Sequence, residues 1–300
     1  DYGDIFDNRI PLLKRAYARF DTSEPDYVRF CDENESWLYT YALFSAVKDE
    51  FGLRPHWEWN KEFRDPRSDA VKAFAASHGK ELGFYRFLQY KFDSQWRKLK
   101  TYVNSLGIKI IGDAPIYAAY DSADFWEDPA RFTVDEYGAP AEIAGVPPDY
   151  FSEDGQRWGN PLYDWERLKA RGYDFWVERV RRLASLVDRL RIDHFRGFCA
   201  YYAIAAECLT AREGTWRAGP DKALFDELEN RLGKIDIIAE DLGVDSPELR
   251  KLLLDCGFPG MKVLQFGFDG DAEYNAHAVC NFTRNCIAYT GTHDNDTACG

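Results

Sequence analysis

The segment LRIDHFRGF, residues 190–198, decides how the rest of the chain is interpreted. Its first residues are apolar and compatible with a β-strand, and Asp193, His194 and Arg196 then fall within four positions. This pattern predicts a buried strand that delivers ionisable groups at its C-terminal end, with Gly197 allowing the chain to turn. Charged groups there must be solvated in a cleft or paired with one another. Alone, the segment fits an ordinary structural ion pair better than a catalytic role.

The composition argues against two classes of partner. The chain has 300 residues and a formal net charge of −13, with a pI near 4.9. An acidic surface disfavours nucleic acid and an anionic membrane, whereas a neutral substrate is unaffected. No apolar run approaches membrane-spanning length. Aromatic residues make up 16% of the chain, which suits stacking on sugars, although the same rings can simply fill the core.

The seven cysteines are scattered, odd in number and without a CxxC pair. They are interpreted as free thiols in a reducing compartment, which predicts a cytoplasmic location. The sequence shows no signal peptide. It begins without Met and stops directly after a dense polar motif. We therefore expect it to be part of a longer protein.

The hydrophobic pattern changes near residue 107. Residues 1–106 are predicted to be mostly helical, ending in a long amphipathic helix over residues 81–106. Beyond them, five short apolar strands alternate with helices, including one predicted over Trp165–Leu190. The segments 121–164 and 199–219 are predicted to be loop-rich and irregular. The predicted strands are Ile108–Ile111, the segment ending at Asp193, Lys234–Ala239, Met261–Phe266 and Cys286–Tyr289.

This alternation predicts an α/β fold with parallel strands, either a (β/α)8 barrel or a doubly wound sheet. A doubly wound sheet usually carries a glycine-rich phosphate loop, and no GxGxxG follows a strand here. The barrel is therefore favoured. Since five strands do not close an eight-stranded barrel, we expect the barrel to be incomplete in this chain.

Four of the predicted strands lead into a carboxylate: Asp113, Asp193, Glu240 and Asp294. A (β/α)8 barrel places its active site at these strand ends, and a pair of carboxylates there suits glycosidic bond chemistry. Clustered acids could instead bind a metal, but the chain lacks HExxH and an EF-hand loop. A Ser-His-Asp triad is disfavoured because GxSxG is absent.

Two local patterns suggest different protonation states for two of these acids. Arg191 lies two residues before Asp193 and so faces the same way on a strand, where a cation favours the ionised acid that a nucleophile needs. Glu240 follows Ile237-Ile238-Ala239, and an apolar environment raises the pKa of a carboxyl, as a general acid needs. The alternatives are a structural ion pair and a hydrogen bond to a neighbouring loop.

Several longer motifs resemble the 4-α-glucanotransferases, also called amylomaltases or disproportionating enzymes, of glycoside hydrolase family 77. The resemblance covers almost the whole chain, and the block GVPPDYFS…WGNPLYDW is its most specific part. The matching motifs are RIDHFRG (191–197), AEDLG (239–243), GTHDNDT (291–297), GVPPDYFS (145–152), GQRWGNPLY (155–163), GDAPIY (112–117) and DSAD (121–124).

The resemblance implies a fold and a set of roles. It implies a (β/α)8 barrel with inserted subdomains, here a mainly helical one at 1–106 and barrel strands over 107–300, with a loop-rich insertion at about 121–164. Asp193 resembles the family nucleophile, Glu240 the acid/base and Asp294 the transition-state stabiliser. The residues that the resemblance assigns to substrate binding are Asp113, Tyr150, Phe151, Trp158, Asn160, Arg191, His194 and His293.

The resemblance also implies the reaction and its partners. The expected substrates are α-1,4-glucans and maltooligosaccharides, transferred by a retaining mechanism that requires no metal or organic cofactor. Two alternatives remain at this point: an α-glucan hydrolase of the same barrel type, and a glucan-binding fragment without activity. Neither nucleic acid nor a membrane is expected as a partner.

Overall fold

A computed structural model describes residues 2–149, 152–243, 246–268 and 270–299. Helices dominate the first hundred residues, and strands appear only after them. The α-helices are α1 (Tyr2–Tyr17), α2 (Pro25–Glu33), α3 (Glu35–Glu50), α4 (Asp69–Ser77), α5 (Gly79–Ser105), α6 (Ala123–Glu127), α7 (Trp165–Ala170), α8 (Asp174–Leu186), α9 (Arg196–Cys199), α10 (Lys222–Leu232) and α11 (Pro247–Cys256). The strands are β1 (Ile111–Pro115), β2 (Glu142–Val146), β3 (Gln156–Pro161), β4 (Arg189–Asp193), β5 (Ala200–Ala205), β6 (Thr215–Ala218), β7 (Ile237–Ala239), β8 (Gly260–Val263) and β9 (Cys286–Tyr289).

The chain divides into two compact units. The first contains residues up to 102 together with 119–129, and the second contains residues 103–118 and 130–300. The first unit is helical, and its apolar residues form two aromatic-rich clusters, one around Trp59 and Trp126 and the other around Phe87 and Tyr90. The domain boundaries inferred from the sequence stay a prediction.

The second unit contains a parallel strand near each of the five predicted positions, although β7 starts three residues later than predicted and β8 ends at Val263 instead of Phe266. Strands β1, β4 and β7 form one parallel sheet in that order, and β8 pairs in parallel with β9. The Ala239 N–H at the end of β7 donates to the Pro259 carbonyl just before β8, at 2.9 Å. The strands therefore follow one another in chain order, and their carboxyl ends lie on the same side. This arrangement confirms the predicted α/β class.

The first strand begins later than the sequence suggests. The prediction of Ile108–Ile111 was wrong, because β1 starts at Ile111 and Asp113 lies inside the strand. The Asp188 side chain holds the residue before β1, because its carboxylate accepts a hydrogen bond from the Ile110 N–H at 2.8 Å. The Ile110 carbonyl in turn accepts from the N–H groups of Asp188 and Arg189. Pairing with β4 therefore sets the start of β1.

A second, antiparallel sheet lies in segments that were expected to be irregular. Its strand order is β3-β2-β5-β6, so the prediction of irregular structure over 199–219 was wrong, and 121–164 contains two strands besides its loops. Close packing of β2 on its neighbours depends on Gly145. A Cβ atom there would overlap the Gln156 carbonyl of β3 and the Ile204 side chain of β5.

The helix predicted over Trp165–Leu190 is interrupted, and that prediction was wrong in extent. Helix α7 ends at Ala170 and α8 starts at Asp174, while Leu190 already belongs to β4. Gly172 and Tyr173 between the helices both have positive φ angles, of 63° and 51°. This left-handed backbone cannot continue a right-handed helix. Across the described ranges, no helix is both long and apolar enough to cross a membrane.

Candidate active site

Strand β4 separates its apolar side chains from its charged ones. Leu190 and Ile192 are 1% and 0% exposed, whereas the alternating Arg191 and Asp193 lie on the other face. The pairing register places Asp113 of β1 beside Arg191 of β4. The three charged groups therefore converge, as the sequence predicts for Arg191 and Asp193.

The Arg191 guanidinium links the two carboxylates. Its Nη1 donates to both oxygens of Asp113 at 2.7 Å, and its Nη2 donates to Asp193 Oδ1 at 2.7 Å. Burial acts to lower the pKa of Arg191, but hydrogen bonding to Asp113 and the charges of Asp113, Asp193 and Glu240 outweigh it and raise that pKa. The Arg191 side chain is 14% exposed and that of Asp193 is 47% exposed. Asp193 is thus paired with a permanent cation and still open to a ligand.

Glu240 directly follows β7 and is 9% exposed. Its backbone is fixed on β4, because its N–H donates to the Ile192 carbonyl at 3.0 Å and its carbonyl accepts from the Phe195 N–H at 3.0 Å. Its carboxyl oxygens accept from two more backbone N–H groups, those of His194 at 2.7 Å and Leu242 at 2.9 Å. The side chain therefore points to the C-terminal end of β4.

The pKa of Glu240 is raised from its ordinary value of 4.5 to about 7. Burial is the largest cause, and the nearby charge of Asp193 adds to it. The two backbone N–H donors and the Arg191 charge act in the opposite direction without cancelling it. Glu240 is accordingly a carboxyl group that exchanges a proton near neutral pH, as the preceding apolar residues predict.

His194 occupies the turn between these two acids. Its φ angle of 51° is left-handed, a conformation that costs a non-glycine residue roughly 1–2 kcal/mol. This backbone directs its N–H at Glu240. Burial lowers the pKa of the imidazole to about 4, so the ring is neutral at pH 7. Its Nε2 is buried and has no hydrogen-bond partner among the described residues.

Trp158 forms an aromatic wall next to His194. The two rings meet edge to face with centroids 4.8 Å apart, and Trp158 remains 38% exposed. Tyr117 packs against both rings, with centroids 6.3 and 6.4 Å away. Asn160 follows on the same strand and donates through Nδ2 to the Ala118 carbonyl at 3.0 Å. Tyr150 and Phe151, which the resemblance also assigns to substrate binding, lie outside the described residues.

Asp294 and His293 lie in the loop after β9. Their side chains are 80% and 77% exposed, and Asp294 Oδ1 lies 3.5 Å from His293 Nε2. Asn295 organises this loop, because its Oδ1 accepts hydrogen bonds from the N–H and the hydroxyl of Thr292, both at 2.9 Å. The structure thus joins Asp113, Arg191, Asp193, His194 and Glu240 directly and presents Asp294 and His293 to solvent.

Two residues in this region were not selected from the sequence. Met261 of β8 contacts Arg191, whose Nε lies 3.3 Å from Met261 Sδ, and Asp241 accepts the Met261 N–H at 2.7 Å. Met261 is the only methionine of the chain, but no local pattern connects it with a residue 70 positions away. Asp241 adjoins Glu240, and this adjacency was an available signal. Within the described residues, no group of three or more His, Cys, Asp or Glu is arranged to hold a metal ion.

Comparison with known proteins identifies the family of this chain. The family model described as 4-alpha-glucanotransferase matches residues 1–300. This chain belongs to that family. A 4-alpha-glucanotransferase of Clostridium butyricum is 42% identical over the whole chain and one of Thermus thermophilus is 43% identical. The chain covers 62% and 61% of these two relatives, so it spans about three-fifths of their length.

Solved structures support the family fold. An amylomaltase from Streptococcus agalactiae, solved in complex with acarbose, superposes with a TM-score of 0.93 at 38% identity. The match covers 98% of this chain and 60% of that one. Amylomaltase from Corynebacterium glutamicum matches with a TM-score of 0.77 at 20% identity, which shows the shared fold alone. The (β/α)8-type architecture predicted from the sequence is thereby confirmed, and the described residues contribute β1, β4, β7, β8 and β9 to it.

Proposed function

We propose that the protein transfers segments of α-1,4-glucans from a donor to the 4-hydroxyl of an acceptor by a retaining double displacement. One observation carries this proposal: two carboxyl groups at neighbouring strand ends have opposite environments. Asp193 is half-exposed and paired with Arg191, whereas Glu240 is buried with a pKa of about 7. A retaining glycosidase mechanism needs such a pair, one ionised and one protonated.

In the first step, an Asp193 oxygen attacks C1 of the donor sugar. The C1–O4 bond breaks, and Glu240 gives its proton to the departing O4, so that a glucosyl ester of Asp193 forms. In the second step, Glu240 takes the proton of an acceptor 4-hydroxyl as that oxygen attacks C1. The ester bond breaks, and both carboxyl groups return to their starting states.

The remaining candidate residues are proposed to hold the sugars. Trp158 offers a partly exposed indole face beside the acids, which suits stacking on a sugar ring. Asp294 and His293 are proposed to reach the sugar at the cleavage point, with Asp294 stabilising the transition state. Asp113, Asn160 and His194 are proposed to line the same cleft, and Tyr150 and Phe151 to close over the acceptor side.

The transfer reaction is tested with maltotriose and the protein as its gene encodes it. Wild type should convert maltotriose into glucose and longer chains with a nearly constant number of reducing ends. Asp193→Asn and Glu240→Gln should each abolish this disproportionation, because each removes one of the two carboxyl groups. Asp32→Asn, at an exposed position of α2, is the matched control and should keep full activity.

The assay also separates the transferase from its rivals. A steady rise in reducing ends would identify a hydrolase. Binding of maltooligosaccharides without any turnover would identify a glucan-binding protein. Near wild-type transfer by Asp193→Asn would refute the assignment of the nucleophile.

We also propose that the protein works in the cytoplasm. The cysteines at positions 31, 199, 208, 256, 280, 286 and 299 are all free thiols. Free thiols are typical of reducing compartments. The alternative is an organelle, since a 40% identical relative from Solanum tuberosum carries the words chloroplastic/amyloplastic in its name. Fractionation of the source cells followed by immunodetection tests the location, and recovery from an organelle or the medium would contradict it.

A further inference from the structure

Met261 makes a polar contact that is unusual for a buried methionine. The residue is 3% exposed on β8, and its Sδ accepts a hydrogen bond from the Nε–H of Arg191 at 3.3 Å. A thioether sulfur is a weak acceptor, and buried methionines usually serve as apolar fillers. Here the sulfur contacts Arg191, the guanidinium that pairs with both Asp113 and Asp193.

The contact gives the third nitrogen of the guanidinium an acceptor. Nη1 donates to Asp113, Nη2 donates to Asp193 and Nε donates to Met261. Because the guanidinium is planar and its donors are rigidly arranged, an acceptor at Nε fixes the direction in which the other two edges point. The Met261 sulfur therefore helps to set the direction from which Arg191 meets Asp193.

The backbone of Met261 is anchored beside Glu240. Its N–H donates to Asp241 Oδ1 at 2.7 Å, and Asp241 is the residue after Glu240. The preceding Gly260 lies against the same carboxylate, because a Cβ atom at Gly260 would overlap it. Met261 thus connects the strand end that carries Glu240 with the cation that holds Asp193.

A neutral sulfur suits this place better than an oxygen acceptor. A carboxylate at position 261 would add a third negative charge around Arg191 and weaken the pairing with Asp193. A side-chain amide would bring an N–H₂ group that repels the guanidinium in one of its two orientations. The thioether accepts from Nε while adding neither charge nor donor.

We propose that Met261 is a positioning residue for the transfer reaction, acting through Arg191 to orient Asp193. This role rests on the proposed function. The alternative is that Met261 only fills space between β8 and Arg191. The two roles differ in whether the sulfur atom, as opposed to the volume of the side chain, is required.

Norleucine replacement tests the sulfur atom itself, because it exchanges Sδ for a methylene group of similar shape. The protein as its gene encodes it would be produced with methionine or with norleucine, in wild type and in Met261→Leu. Any effect of norleucine on Met261→Leu must come from a methionine outside position 261, so this variant corrects the wild-type comparison for such effects. The comparison is a double-mutant cycle on one atom.

We expect norleucine to lower kcat on maltotriose three- to ten-fold in wild type, and to leave Met261→Leu unchanged, as the loss of one net hydrogen bond predicts. The melting temperature should change little. An unchanged kcat in norleucine-containing wild type would overturn the positioning role.

A readout independent of activity is the Nε–H resonance of Arg191 in a ¹⁵N-labelled sample, assigned by its absence in Arg191→Lys. Norleucine should shift this resonance and speed its exchange with solvent. An unchanged resonance would refute the contact even if kcat changes. If wild type does not transfer glucan at all, the proposed function fails and the catalytic role of Met261 fails with it, while the resonance still decides whether the sulfur holds Arg191.

Discussion

The stability of Glu240→Gln relative to wild type should increase as the pH rises. Folding raises the pKa of Glu240 from 4.5 to about 7, mainly through burial. The folded protein therefore binds this proton more tightly than the unfolded chain. Between about pH 4.5 and pH 7, wild type loses stability as the unfolded chain gives up the proton first.

The size of the effect follows from the two pKa values. The rise from 4.5 to about 7 corresponds to roughly 3 kcal/mol of unfolding free energy, which is fully present below about pH 4 and fully lost above about pH 8. Gln cannot ionise and escapes this loss. Gln also has an NH₂ group in place of one carboxyl oxygen, so the hydrogen bond from the His194 or the Leu242 N–H is lost. This loss costs about 1 kcal/mol of stability at every pH. Glu240→Gln should therefore be slightly less stable than wild type at pH 4 and about 2 kcal/mol more stable at pH 8.5.

Urea denaturation of both proteins at several pH values between 4 and 8.5 measures this difference. Glu136→Gln, at an exposed position of the same unit, is the matched control and should differ from wild type by a small, constant amount. A difference between Glu240→Gln and wild type that does not change with pH would refute the reasoning. It would mean that the Glu240 environment does not favour the protonated form.

Three further outcomes follow from the same geometry. The basic limb of kcat/KM on maltotriose should lie near pH 7, because Glu240 must hold its proton in the free enzyme; a limb above pH 9 would point to another acid. His194→Gly should be about 0.5–1 kcal/mol more stable than His194→Ala in urea denaturation, since both lose the ring and only Gly relieves the positive φ; equal stabilities would argue against that strain. Gly260→Ala should destabilise the protein by more than 2 kcal/mol, because its methyl group overlaps the Asp241 carboxylate, and Asp241→Ala should restore part of that loss; purely additive effects in denaturation would contradict this contact.

Short-range features of the site could be predicted from the sequence because they depend on strand geometry alone. Arg191 and Asp193 are two residues apart, so a strand turns both to the same face. The apolar Ile237-Ile238-Ala239 predicted a buried environment for the next residue, and the raised pKa of Glu240 agrees with it. Neither inference needed a contact between distant parts of the chain.

Contacts between distant segments could not be predicted in this way. Asp113 and Met261 lie 78 and 70 positions from Arg191, and only the pairing of β1, β4 and β8 with their neighbours brings them to it. The left-handed φ of His194 was also not predicted, since a positive φ is uncommon for any non-glycine residue. The antiparallel sheet was missed for a related reason. All four residues of β6 are exposed, so its sequence lacks the alternation that predicts a strand.

The different environments of Asp193 and Glu240 arise from the groups that lie on or next to the strand of each acid. Asp193 has Arg191 two positions before it, so a full positive charge is built into its own strand. Glu240 follows three buried apolar residues, and its carboxyl hydrogen bonds come from the N–H groups of His194 and Leu242. Backbone donors lower the pKa of Glu240 less than burial raises it, so the acid begins protonated.

The same two donors matter again after the proposed proton transfer. Once Glu240 has protonated the leaving oxygen, it carries a negative charge in a buried place where an isolated carboxylate would be costly. The N–H groups of His194 and Leu242 are already directed at its oxygens and stabilise that charge without any rearrangement. The strained turn at His194 fixes one of these donors. The backbone conformation of His194 therefore allows one carboxyl group to act first as the acid and then as the base.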